Sequence, residues 1–302
     1  MIAGHVLQGT LEDSLARTLI YSFHMPLFIG ISGFLFNARS AVGYTLPVLL
    51  GKYFFRVIVP WSLAVVIYGG LVGRGGFWSA AGIVKSFLFP YYHLWFIPAF
   101  LGWIILTWIL LKLKIRNSWL LLISFLVSVG FYAIDKVPGW YMENGHARAI
   151  LQFVLATLRP YYFFFFVLGL FLRKTSLPKP SFIEYFICAL LFGVIVHLFF
   201  ARNPLLYFII FFLLNTVLLT LILKISVKNL AGRNSLLEWI GVNSMGIYLW
   251  HMIPILIAKS YKNTPAEFYL HAIVLQAAFL AAYYYLNKIG FIRKYFFGGT
   301  LR

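Results

Sequence analysis

Acidic residues are nearly missing from this chain. Seven Asp and Glu stand against 25 Lys and Arg in 302 residues, and none falls between Asp13 and Asp135 or after Glu267. In a soluble protein that imbalance would point to nucleic acid. Here only 11% of residues are charged and 62% are hydrophobic, so nucleic acid is not an expected partner. Cysteine is reduced to Cys188, which excludes an internal disulfide and any multi-cysteine metal site. Metal-ligand spacings, a phosphate-binding glycine loop, a dinucleotide fingerprint and a nucleophile elbow are all missing, and no metal is expected. No internal repeat is visible. Runs such as Tyr161–Leu172 do not alternate, as strands of a membrane β-barrel would.

What the chain has is apolar runs of about 20 residues, each long enough to cross a hydrocarbon core of about 30 Å as a helix. The expected fold is all-α: a polytopic transmembrane helical bundle of about ten spans, forming one domain over residues 1–302. The apolar Met1–Gly9 is short for a span at about 1.5 Å per residue. Either the first helix is truncated or this segment only dips into the membrane. It also lacks the basic start of a cleavable signal. Further spans are expected at about Thr18–Phe36, Tyr53–Val72, Tyr91–Leu111, Trp119–Ile134, Ile150–Leu172, Phe182–Phe200, Asn203–Leu223, Ile240–Ala258 and Glu267–Leu286. Asn37–Gly51 reads as a loop, and Phe77–Phe89 as an interfacial helix. Most Lys and Arg fall on one set of ends, which places both termini in the cytoplasm by the positive-inside rule. Such basic faces also meet anionic lipid headgroups.

Several polar residues interrupt these runs. In Phe23-His24-Met25-Pro26, with Ser32-Gly33 two turns on, small residues let helix backbones approach and polar ones find partners. Proline beside His24 is ordinary at a helix start, so capping or packing competes with function there. His5 follows Gly4. A histidine titrates near neutrality and can serve as general base, or can sit hydrogen-bonded and inert. Lys52 and Arg56, at i and i+4, share a helix face and can grip a phosphate, or simply follow topology. His93, beside Trp95, opens an outer helix end where sugars can stack on aromatic faces. Arg159 lies within an apolar run, where a charge must pair, face water or snorkel; Glu143 and Glu238 are candidate partners. Ser244, Tyr248 and His251 share one helix face. Asn243 or Ser244 can instead cap that helix. Glu238, at its cytoplasmic edge, is available to orient a histidine or to hold a cation.

Five blocks occur in an order that resembles the acyltransferase-3 family of integral membrane acyltransferases: Gly4-His5; Phe23-His24-Met25-Pro26-Leu27-Phe28 with Ile31-Ser32-Gly33; Arg56-Val57-Ile58-Val59-Pro60; His93-Leu94-Trp95-Phe96; and Asn243-Ser244-Met245-Gly246-Ile247-Tyr248-Leu249-Trp250-His251. The fucose-4-O-acetylase-like branch is the nearest in flavour. The resemblance implies transfer of an acetyl (acyl) group from cytoplasmic acetyl-CoA to a hydroxyl of a cell-surface or exopolysaccharide sugar, at the inner (plasma) membrane. It makes His5 the catalytic residue, with Glu238 beside it in the catalytic set. Lys52, Arg56 and Ser32 form the expected donor-binding set. His24, His93, Trp95, Arg159, Ser244 and His251 form the acceptor-binding set. Expected partners are the glycan acceptor and membrane lipids, with a homo-oligomer left open. The family's usual arginine upstream of the first-helix histidine has no counterpart before His5, and Tyr53-x-x-Arg56 stands where many members carry two arginines. The alternatives are a glycan or lipid transporter or flippase, whose broken helices also carry polar residues, or an inactive truncated family member.

Overall fold

The computed structural model describes residues 2–72, 77–136, 145–175, 177–201, 203–229, 235–261 and 264–299. All regular structure among them is helical. In chain order the helices are α1 (Ile2–Val6), α2 (Leu15–Leu35), α3 (Ala38–Gly43), α4 (Leu46–Tyr53), α5 (Val59–Leu71), α6 (Ala80–Leu88), α7 (Phe96–Lys112), α8 (Asn117–Lys136), α9 (Gly145–Phe153), α10 (Phe163–Leu172), α11 (Phe182–Ala201), α12 (Pro204–Asn229), α13 (Ser235–Trp250), α14 (Met252–Ser260), α15 (Pro265–Leu286) and α16 (Gly290–Tyr295). A π-helical turn, Phe54–Ile58, joins α4 to α5, and another, Val154–Leu158, follows α9.

Six helical segments are long and apolar enough to cross a membrane: Leu15–Leu35, Leu46–Leu71, Asn117–Asp135, Phe182–Ala201, Leu205–Ile225 and Pro265–Leu286. Two bent pairs, 148–172 and 238–260, raise the number to eight if each is one span. This is below the ten expected. Of the two remaining runs, α1 has five residues and α7 has 17, so the first is too short and the second is at the lower limit for crossing about 30 Å. The stretch expected as a loop at Asn37–Gly51 is largely helical. Asn37 caps α3 by accepting from Ser40 N–H at 3.2 Å, and Pro47 sits in the first turn of α4, where its missing N–H costs nothing.

The chain falls into two compact units. One comprises Met1–Leu7, Thr45–Ile97 and Arg233–Arg302; the other comprises Gln8–Tyr44 and Pro98–Gly232. In the second unit α2 packs on α10 and α12, and α11 on α12. The α2–α10 contact is backbone to backbone. A Cβ on Gly33 would lie 1.9 Å from the Phe166 carbonyl oxygen, and one on Gly169 would lie 1.8 Å from that of Gly30. The small residue expected to permit close approach does so, with α10 as its partner. His24 and Pro26 lie inside α2, not at a helix start, because the helix already begins at Leu15. Proline removes the N–H that would bond four residues back, which frees the Ser22 carbonyl. Asn215 of α12 donates to that carbonyl at 2.8 Å.

In the first unit α14 packs on α15, α13 on α5, and α1 on α14. Asn243 lies within α13 and does not cap it. Its Nδ2 donates to Trp239 O at 2.7 Å, while its Oδ1 accepts from Asn287 at 2.8 Å and from the Tyr283 hydroxyl at 3.3 Å. This amide network ties α13 to α15.

Candidate active site

The first unit brings three histidines together. The His5 ring, on α1, stacks on that of His251 at 5.2 Å between centroids and 29° between planes. His93 meets His251 edge-on at 5.1 Å and lies 6.3 Å from His5. All three are buried: His5 is 9%, His93 4% and His251 0% exposed. Tyr92, which is exposed, brings its ring to 5.1 Å from His5.

A helix break and a pinned turn make this arrangement. The run expected as one span at Ile240–Ala258 bends by 40° between α13 and α14, at His251. Pro254 stands three residues beyond the bend. Helix-end carbonyls lack guaranteed partners within the helix, and two from the last turn of α13 are taken by the site. The Tyr248 carbonyl accepts from His251 Nδ1 at 2.7 Å. The Leu249 carbonyl accepts from the Tyr68 hydroxyl at 3.0 Å and from His93 Nε2 at 3.2 Å.

His93 precedes α7, in a turn where Tyr92 has φ +38°. That conformation is strained for a residue with a side chain. The turn is pinned from two helices. The Tyr248 hydroxyl donates to the His93 carbonyl, and Trp61 Nε1 of α5 donates to the Leu94 carbonyl at 3.0 Å. Pro98 explains the second contact, since it cannot bond the carbonyl four residues back.

These contacts fix both tautomers. A carbonyl oxygen only accepts, so the ring nitrogen facing it carries the proton. His93 is therefore protonated on Nε2 and His251 on Nδ1. The opposite nitrogens, His93 Nδ1 and His251 Nε2, are buried and have no hydrogen-bond partner among the described residues. In the neutral rings each carries a lone pair, within the cluster that includes His5. Buried polar atoms are nearly always satisfied, so two orphans in one cluster of imidazoles are acceptors awaiting a hydroxyl or a water. No group of three His, Cys, Asp or Glu among the described residues is placed to bind a metal ion.

The remaining expected residues are distributed differently. Trp95 is buried beside Phe96, at 6.3 Å between ring centroids. Ser244 is half-buried on α13, one turn before Tyr248. Glu238 is exposed near the start of the same helix, and about 20 Å of helix rise separates it from His251. That distance leaves it unable to orient the histidines directly. Lys52, in the last turn of α4, and Arg56, in the π-helical turn, are both exposed. Lys294 Nζ of α16 lies 4.4 Å from the centre of the Phe55 ring between them.

His24, Ser32 and Arg159 belong to the second unit. His24 Nδ1 donates to Ile20 O at 2.8 Å and its ring meets Tyr21 edge-on at 4.7 Å. Ser32 donates to Phe28 O at 2.8 Å. Arg159 sits at φ +42° in a helix break, with Nε 3.4 Å from Ala156 O. Its candidate partner Glu143 lies outside the described residues. The sequence reading missed Tyr92, Tyr68 and Trp61. One residue in five is aromatic, so no pattern singles them out.

Helices of this length and apolarity define a multi-pass membrane protein, whose first unit holds a buried cluster of three imidazoles. The comparison with known families is specific. The acyltransferase-3 family, described as an acyltransferase domain, matches residues 1–288, and the chain belongs to that family. It is a membrane acyltransferase. No curated protein and no solved structure shows a significant match.

Proposed function

We propose that this protein transfers an acetyl group from acetyl-CoA to a hydroxyl of a cell-surface or exopolysaccharide sugar, in the manner of the fucose-4-O-acetylase-like branch. The observation that carries this reading is the contact of buried His5 with two imidazoles that each present an unpartnered nitrogen. Such nitrogens suit a substrate rich in hydroxyl groups. The exposed Tyr92 ring beside His5 offers a face on which a sugar ring can stack.

In this reading His5 accepts the proton of the attacking hydroxyl. His93 Nδ1 and His251 Nε2 accept hydrogen bonds from the acceptor and orient it, so the reaction gains from positioning as well as base catalysis. The thioester of the donor supplies the activated acyl group. Lys52 and Arg56 are exposed cations that fit its phosphates, with Arg56 able to bind bidentately. The basic excess at these ends supports a cytoplasmic donor side and a plasma-membrane location.

Glycan mass spectrometry on cells carrying the wild type or His5→Ala tests the reading. Loss of the acetyl increment with His5→Ala, while the protein still accumulates as a folded species, is the expected outcome. A general base contributes roughly 100-fold or more to the rate. Unchanged acetylation would remove His5 from the mechanism.

A further inference from the structure

The second unit carries a separate cavity of about 490 Å³ where α2 and α10 end, lined by Asn37, Arg39, Arg173 and Lys174 with Phe36, Ala38 and Leu170. We propose that this cavity binds a phosphate group bearing about two negative charges, as found in a nucleotide pyrophosphate or a phosphomonoester lipid headgroup.

Among the described residues, three cations and no carboxylate line the cavity. Arg173 Nη1 donates to the Leu35 and Phe36 carbonyls, both at 3.0 Å. That anchors the guanidinium across the α2–α10 contact, and its Nε and Nη2 donate to nothing among the described residues. Arg39 is exposed and makes no ion pair or hydrogen bond with a described residue through its side chain. Among the described residues Lys174 Nζ donates only to Asn117 Oδ1, at 3.1 Å. Asn117 in turn lines a neighbouring cavity with Arg116.

The opposing charge is small. A helix C-terminus is worth about −0.5 of an elementary charge, so the ends of α2 and α10 together offset about one of the three positive charges. Two remain, which matches a pyrophosphate or a phosphate monoester. An anchored planar guanidinium with free N–H groups is suited to bidentate phosphate binding. The described ion pair of this unit is elsewhere, between Glu184 and Lys224.

The test uses the full chain in nanodiscs of neutral phosphatidylcholine and measures pyrophosphate binding directly. It involves no turnover, so it stands or falls independently of acetyl transfer. Arg39→Gln with Lys174→Gln is expected to weaken binding at least about tenfold; Arg173 is spared because it ties two helix ends. Should the double variant unfold, Arg39→Gln alone, at an exposed position, is expected to weaken it about threefold. In a background carrying Lys52→Gln and Arg56→Gln, displacement of pyrophosphate by CoA identifies a nucleotide ligand, and displacement by phosphatidic acid doped into the disc identifies a phosphomonoester headgroup. Equal affinity in wild type and variants, or displacement by neither compound, would overturn the proposal.

Discussion

Two bent spans, one in each unit, use the same local device with different results. The span around Arg159 bends by 43° and the span around His251 by 40°. Each has a proline close by, Pro160 or Pro254, and each bend leaves backbone groups that need partners in an apolar setting. At the Arg159 bend, Ser128 of α8 supplies them. Its hydroxyl donates to Pro160 O at 3.1 Å and accepts from Phe164 N–H at 2.9 Å. At the His251 bend, two imidazoles supply them, with the Tyr68 hydroxyl. The difference follows from side-chain chemistry. A hydroxyl satisfies donor and acceptor needs through one atom, and the Ser128 network is closed. An imidazole has nitrogens on two sides, so bonding one to a carbonyl points the other away. The first bend is thereby structural, and the second leaves two unpartnered nitrogens in the cluster that contains His5.

The largest effect that separates the bends is on catalysis. His251→Ala removes one bare nitrogen and the face on which His5 stacks. Acetyl transfer per folded molecule is expected to fall about 100-fold, within the range for positioned proton-transfer groups, and the thermal midpoint in detergent falls as well, because the buried Tyr248 carbonyl loses its partner. His93→Ala is expected to act in the same direction. If both variants turned over at the wild-type rate, the orphaned nitrogens would have no catalytic meaning and the two bends would be equivalent.

This contrast also shows what could be read from the residues alone. His5, His93 and His251 stand out because ionisable groups in apolar runs are rare. Their convergence does not. Ile240–Ala258 is apolar on both sides of His251, so hydropathy runs through the break without a mark. His93 reads as the first turn of a span, but it sits in a turn before α7, held by Trp61 and Tyr248 from distant parts of the chain. Gly33 is recognisable as a packing residue, yet its partner is the Phe166 backbone, and a backbone partner leaves no trace in sequence. The prolines follow the same rule. Pro26 and Pro98 announce freed carbonyls, while the groups that answer them, Asn215 and Trp61, are set by tertiary packing.

A smaller effect is expected at the Ser128 bend, and on stability. Ser128→Ala leaves Pro160 O and Phe164 N–H without their partner. Each buried unsatisfied group costs about 1–3 kcal/mol, and relaxation around the bend keeps the total near the lower figure for two. Thermal unfolding should shift down with acetyl transfer per folded molecule unchanged. A loss of specific activity at full stability would show that the two bends share a function after all.

The smallest effect is expected at Arg159, and its sign is informative. The residue occupies the left-handed region at φ +42°, which costs a residue with a Cβ about 1–2 kcal/mol. Glycine relieves that strain but loosens the unfolded chain by about 0.5–1 kcal/mol and gives up the contacts of the guanidinium, among them Nε to Ala156 O, long at 3.4 Å. These terms nearly cancel, so Arg159→Gly should stay within about 1 kcal/mol of wild type by thermal unfolding. Arg159→Val keeps the strain, adds β-branching where it is least tolerated, and should fall below the glycine variant. Equal stability of the two would mean that the backbone relaxes out of the left-handed conformation. A large loss in both would mean that the guanidinium itself, rather than the geometry of the bend, stabilises this span, and Arg159 would then be a residue whose charge matters as the imidazole of His251 does.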